Sequence, residues 1–197
     1  MHQTLSTNQS NVVTWAQRVA ADPKTIYLDT ETTGLGNTAE IVEVAAVDTT
    51  GRVLLDTLVK PREQIPADVT RIHGITNAMV MDAIGWEAVA PIIELLLASA
   101  SNVVIYNADF DARIMEQCNA RSRLSRFRAN WQCAMQQYAA FAGRTHNRYG
   151  GYRWHKLTDA AATFGHREAV QHRALADTRL CRAVVLGMAG LDAGVRP

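Results

Sequence analysis

Long hydrophobic runs are missing from this sequence. Its longest apolar stretch, Pro91 to Ala100, is broken by Glu94 and Ser99, so nothing reaches the roughly 20 consecutive apolar residues that a bilayer-spanning helix requires. Cysteine is scarce: Cys118, Cys133 and Cys181 are odd in number, far apart and in no C-x-x-C arrangement. A disulfide framework and a zinc knuckle are thereby excluded, and the three are read as reduced packing residues. The polar opening MHQTLSTNQSN lacks the basic and apolar blocks of a secretion signal. Internal repeats and low-complexity tracts are absent as well. A cytoplasmic protein without membrane association is expected.

What is present fits one domain. The chain has 197 residues, of which 48% are apolar, enough for a single sizeable core. Its net charge of +1 is an average over unlike regions, because Arg121, Arg123, Arg126, Arg128, Arg144, Arg148, Arg153 and Lys156 occupy a segment with no acid, and the remainder sums to −7. Such segregation suits a protein that holds cations in one place and a phosphate backbone beside it, although a basic stretch is also a common solvated face.

A disordered leader to about Asn11 is expected, then a helix over VVTWAQRVAAD that Pro23 ends. TIYLDTE reads as the first strand, and IVEVAAVDTT with RVLLDTLVK as an antiparallel hairpin. A Pro-containing loop and the turn His73-Gly-Ile-Thr precede a helix from Trp86 to Ala100. VVIYN reads as a buried strand, followed by a helix from Asp109 to Ala120, a short strand at Trp131 to Ala134 and the helix AMQQYAAFAG. A Gly- and Arg-containing loop, Arg144 to Trp154, leads to the helix LTDAAATFG and to a last helix from Ala174 to Met188. Three strands followed by helices alternating with two more imply an α/β domain over residues 12–190, with a mixed sheet covered on both faces and a short tail at 191–197.

Asp29 and Glu31 lie two apart in a strand, so they project to one face while Thr30 points away. Two carboxylates roughly 5 Å apart repel by about 3 kcal/mol at an effective dielectric near 20. Such a pair shares a proton or binds a cation. Asp111 and Asp177 each fall in the first turn of a helix, where the dipole favours an anion. Four carboxylates without a cysteine cluster suit hard cations, Mg²⁺ or Mn²⁺, and two divalent ions would neutralise them. His172 precedes Asp177 by five residues; on one continuous helix the two would face different ways, about 140° apart. If the helix begins near Ala174 instead, His172 sits on a mobile loop over the metal site and can take a proton from water.

These residues form three motifs: Asp29-Thr-Glu31-Thr-Thr-Gly34-Leu35, Asn107-Ala-Asp-Phe110-Asp111 and His172-Arg-Ala-Leu-Ala-Asp177. Together they resemble the motifs of the DEDDh 3′-to-5′ exonucleases, the group that includes the proofreading subunit of bacterial DNA polymerase and ribonuclease T type enzymes. The resemblance runs from Thr25 to Met188 in the family's order. It implies an RNase H-like fold with a five-stranded mixed sheet and two-metal hydrolysis yielding 5′-mononucleotides. Asp29, Glu31 and Asp177 then hold the ion that carries the attacking water, Asp29 and Asp111 serve the ion at the leaving 3′ oxygen, and His172 is the general base.

The resemblance also assigns Thr32, Gly34 and Leu35 to the pocket of the terminal nucleotide, with His73, Ile75, Asn107 and Phe110 as further substrate contacts; His73 is equally readable as a turn residue. Tyr106 departs from the family, where many relatives have histidine. Asp109, the rival of Asp111, is read as the N-cap of its helix. Trp131 and Tyr138 are read as core, whereas Tyr149, Tyr152 and Trp154, among Arg148 and Arg153, suit either base stacking or a lid. The leading expectation is action on free 3′ ends of single-stranded or frayed DNA. RNA trimming is the nearest alternative, a catalytically silent 3′-end-binding module a more distant one, and a homodimer is in keeping with relatives of this size.

Overall fold

The strand-forming runs build one five-stranded sheet in a computed structural model that describes residues 6–146, 150–166 and 172–191. The strands are β1 (Thr25–Thr32), β2 (Ile41–Asp48), β3 (Val53–Leu58), β4 (Asn102–Ile105) and β5 (Trp131–Cys133), in spatial order β3-β2-β1-β4-β5. β1, β2 and β3 pair antiparallel as a meander, whereas β4 runs parallel to β1 and β5 parallel to β4. The sheet is therefore mixed, as expected. Because β1 and β4 are parallel, their carboxyl ends open on the same edge.

Eight helices lie among the described residues: α1 (Thr7–Ala21), α2 (Ala67–His73), α3 (Asn77–Val80), α4 (Trp86–Ser99), α5 (Ala108–Arg121), α6 (Ala134–Ala142), α7 (Leu157–Thr163) and α8 (Ala174–Met188). The period-two alternation of β1 sorts its side chains between two cores. Ile26 and Leu28 pack with Ile93, Leu97, Ile114 and Met115 of α4 and α5, whereas Tyr27 packs with residues of α1, α6 and α8. The RNase H-like α/β arrangement is thus reached by burying both sheet faces.

Helix α1 begins at Thr7, earlier than its apolar pattern suggested. The Ser6 hydroxyl accepts the Gln9 N–H at 3.3 Å and the Gln9 side chain accepts the Ser6 N–H at 3.0 Å, a capping box that starts the helix ahead of its first buried residue. Of the expected leader, residues 1–5 lie outside the described residues, as do 192–197 of the expected tail. Asp109 is not the cap of α5. The N-cap position is Asn107, in the left-handed region at φ 76°, and Asp109 is an exposed residue of the first turn. Tyr138 is buried as expected, while Trp131 is only partly so.

Candidate active site

Two neighbouring strand ends and two helix starts define the site. β1 carries Asp29 and Glu31 on the face toward α8 and Thr30 on the face toward α5. From there the Thr30 hydroxyl donates to Asp111 Oδ1 at 2.7 Å, fixing a carboxylate that is 3% exposed. Asp177 lies in the first turn of α8. The carboxylate of Glu31, a ring nitrogen of His172 and the carboxylate of Asp177 approach within 4.8 Å of one another. The structure therefore brings Asp29, Glu31, Asp111, Asp177 and His172 to one place.

The electrostatics are those of crowded like charges. Burial, and then the neighbouring Asp111, Glu31 and Asp177, push the Asp29 carboxyl well above the usual range. Burial followed by Asp177 and Glu43 pushes Glu31 up to about 8. Asp111 is pushed up to about 7 by burial, despite the bond from Thr30. In water at neutral pH all of these groups would be ionised. A fold that gathers them creates a deficit of positive charge that either protons or cations relieve. The ligand group at Glu31, His172 and Asp177 offers oxygen and imidazole donors without a thiol, so the residues fit a hard divalent cation.

Helix α8 starts at Ala174, so the histidine is not on it. His172 is exposed and held in the left-handed region at φ 58°. Residues 167–171, the remainder of the loop expected to be mobile, lie outside the described residues. The anchor of this helix start was not legible in the sequence. Glu43, 2% exposed, sits directly across from Glu31 in the β1–β2 register and accepts the Arg173 Nε–H at 3.0 Å and the Ala174 N–H at 2.8 Å. A second bond joins the Arg173 guanidinium to Glu43 Oε1. One buried carboxylate thus pins the two residues that follow His172, and it is itself paired with Arg173 while still adding to the charge that raises Glu31. The D-x-E spacing had no equivalent to announce Glu43; only the cross-strand pairing places it there.

The segment after β1 is tied down from α5. Arg113 donates to the Leu35 carbonyl at 3.1 Å, Gln117 to the Gly36 and Ala39 carbonyls at 3.2 and 3.1 Å, and Arg121 to the Thr38 carbonyl at 3.0 Å. These three lie four residues apart, on one helix face. The loop so held offers Leu35, which is 79% exposed, while the Thr32 hydroxyl donates to the Gly34 carbonyl at 2.8 Å. His73 is buried: its Nδ1 accepts the Ile75 N–H at 3.0 Å, which leaves the ring proton on Nε2, 3.3 Å from the Thr32 carbonyl. It buttresses the base of the Leu35 loop.

Ile75, expected to touch substrate, is fully buried against Val42, Ile65 and Val80 and presents no surface to a ligand. Its apolar side chain completes a small core instead. Phe110 is partly buried, with the Arg113 guanidinium 5.4 Å from its ring centre, and Asn107 is half-buried at the mouth of α5. The basic segment is also less uniform than its composition suggested, since Arg121 pairs with Glu40 at 3.1 Å and Arg126 with Glu116 at 2.8 Å. Among the described residues, no helix is long and apolar enough to cross a membrane.

Comparison with known proteins agrees with this geometry. The profile of the RNase_T exonuclease family matches residues 26–185. The uncharacterized exonuclease CP81 of Escherichia phage 186 is 43% identical over 171 residues, covering 83% of this chain and 87% of the phage protein. Exonuclease X, solved in complex with 5′-overhanging duplex DNA, matches 86% of this chain and 95% of its own with a TM-score of 0.62 and 27% identity. The nuclease domain of 3′hExo, a DEDDh family member solved with rAMP, is alike in fold, with a TM-score of 0.68 at 18% identity over 84% of this chain and 91% of its own. The motifs, the fold and these relatives converge: the chain belongs to the RNase_T exonuclease family, in its DEDDh group, and is an exonuclease acting on nucleic acid.

Proposed function

We propose that this exonuclease works from the 3′ end, hydrolysing the terminal phosphodiester bond of single-stranded or frayed DNA and releasing nucleoside 5′-monophosphates. The observation that carries the reading is the grouping of Glu31, His172 and Asp177 within 4.8 Å, beside the half-buried Asp29 and the buried Asp111. Asp29, Glu31, Asp111 and Asp177 would hold two divalent cations, Mg²⁺ or Mn²⁺, with Asp29 common to both. Bound there, such ions lower the pKa of water and neutralise the charge that builds around phosphorus. His172, exposed beside Glu31 and Asp177, takes the proton of the attacking water. A new P–O bond forms as the bond to the penultimate 3′ oxygen breaks, and that oxygen leaves as a hydroxyl.

Thr30 keeps Asp111 oriented, and Glu43 with Arg173 keeps His172 at the rim. Leu35, projecting from a loop braced by Arg113, Gln117 and His73, serves as the apolar wedge against the terminal base, next to Thr32, Gly34, Asn107 and Phe110. DNA is favoured as substrate because Exonuclease X, of which this chain spans 95%, was solved with DNA. The test is a set of end-labelled oligonucleotides of one sequence, as single-stranded DNA, blunt duplex and RNA, digested with Mg²⁺ or Mn²⁺. Single-stranded DNA is expected to shorten stepwise from its 3′ end into 5′-mononucleotides. Faster loss of RNA, or internal cuts, would contradict the reading.

A further inference from the structure

Part of the basic segment forms a structure outside the carboxylate cluster. Residues 144–146 and 150–156 form an arm, closed by the Thr145–Tyr152 bridge, by the Arg153 N–H to the Arg144 carbonyl at 2.8 Å and by the His146 N–H to the Gly151 carbonyl at 3.1 Å. Arg148 and Tyr149, grouped with this loop in the sequence, lie outside the described residues. The aromatic residues of the arm divide into anchor and surface. Tyr152 is half-buried, its hydroxyl accepting a bond from Asn8 at the start of α1. His155 packs edge-on against Tyr138, ring centres 5.3 Å apart. Trp154 projects, 69% exposed. Arg153 and Lys156 are exposed beside it, and neither forms an ion pair among the described residues.

The arm is also fastened to the edge where the site opens. The Tyr106 hydroxyl donates to the His155 carbonyl at 2.9 Å. Tyr106 follows β4 directly and precedes Asn107, the start of the helix that carries Asp111. The tyrosine at which this chain departs from many DEDDh relatives thus links the residue after Trp154 to the carboxyl end of β4. An exposed indole flanked along the chain by two exposed cations, on a backbone fixed at both sides, offers a flat apolar face for a base and charge for its phosphates.

We infer that Trp154, with Arg153 and Lys156, forms a stacking subsite for a nucleotide of the single strand upstream of the scissile bond, fixed against the catalytic edge by Tyr106. The inference rests on the single-strand exonuclease reading and extends it to substrate beyond the terminal residue. A base stacked on an aromatic side chain is tolerant of sequence and of sugar, so single-stranded DNA and RNA share this chemistry.

Intrinsic fluorescence gives the direct test. Trp15 and Trp86 are buried and Trp131 is partly so, which leaves Trp154 as the tryptophan most open to a bound base. Oligo-dT and oligo-rU are titrated into the whole protein in EDTA, so that no strand is degraded. Quenching is expected with wild type and is expected to be lost in Trp154→Phe, which keeps a ring for stacking. In Mn²⁺, Trp154→Ala is expected to raise KM on a 12-nucleotide strand on the order of tenfold, with kcat little changed and the rate on a dinucleotide untouched. Trp154→Phe is expected to restore most of that loss. Tyr106→Phe is expected to raise KM for the long strand alone. Equal quenching in wild type and Trp154→Phe, or equal effects of Trp154→Ala on both substrate lengths, would overturn the subsite. Quenching at Trp154 without any nucleotide release would retain the subsite and overturn the catalytic reading instead.

Discussion

Glu43 has the same charge as the groups around it and a different task. Its carboxylate meets the Arg173 guanidinium and the Ala174 N–H, so its contribution is geometric: it fixes where α8 starts and hence where His172 stands. Glu43→Gln is expected to lower kcat by about 10²-fold with KM little changed, because a displacement near 1 Å at a reacting group costs about that much. The stability cost is expected to be below the 3–5 kcal/mol typical of breaking a fully buried pair, since the Arg173 side chain is 39% exposed and water can solvate it. His172→Ala is expected to remove about 10²–10⁴-fold from kcat while leaving strand affinity in EDTA unchanged. Steady-state kinetics beside thermal unfolding separate the two variants. At this scale the sequence displays what a single strand or helix start brings together. Asp29 with Glu31 is legible from a period of two, whereas Glu43, Thr30 and Arg173 act across strands and faces that only the folded register joins.

Helix α5 shows how one element serves two ends of the site. Its first turn presents Asp111, and its outer face places Arg113, Gln117 and Arg121 under the Leu35 loop. That i, i+4, i+8 spacing is visible in the sequence, but its partners are backbone carbonyls some eighty residues away, which no local pattern reveals. The same limit explains Ile75 and His73, whose motif suggests a substrate contact, while packing against β2 and α3 turns Ile75 inward and hydrogen bonds to Thr32 and Ile75 hold His73 inside. Helix α8 depends on close approach as well. A Cβ on Gly187 would lie 2.3 to 2.6 Å from the Phe164 ring, and that ring is held 6.2 Å from Tyr138 and 5.7 Å from Phe141, centre to centre. Gly187→Ala gains about 1 kcal/mol of helix propensity, against about 1–3 kcal/mol for overpacking. A net loss of stability, read as a Tm lower by a few degrees, is therefore expected in a thermal melt.

At the scale of the whole molecule, the fold class was written in the order of strands and helices, and the pairing of β4 beside β1 follows from burying both faces of the sheet. The arrangement carries a cost that depends on pH. Glu31 and Asp111 are pushed up to about 8 and about 7 in the fold, while unfolded carboxyls ionise near pH 4. Between those values the folded state binds more protons than the unfolded one, so this contribution to stability is complete below about pH 4 and is lost as pH rises through 7 and 8. In EDTA, the Tm is expected to fall between about pH 5 and pH 8. Added Mn²⁺ is expected to restore it, and by more at pH 8 than at pH 6, because the ion displaces fewer protons there. A Tm in EDTA that rises over this range would contradict the crowding of the carboxylates.

Under the proposed function, this carboxylate cluster is a cation-dependent device for removing nucleotides from a 3′ end. The most direct test of that reading is the release of 3′-terminal nucleotide from labelled single-stranded DNA as Mn²⁺ is titrated, with wild type beside Asp29→Asn. Wild-type release is expected to be absent in EDTA and to switch on with the metal, while Asp29→Asn is expected to fall by roughly 10³-fold or more at saturating Mn²⁺. Release from wild type in EDTA, or a wild-type rate from Asp29→Asn, would contradict it.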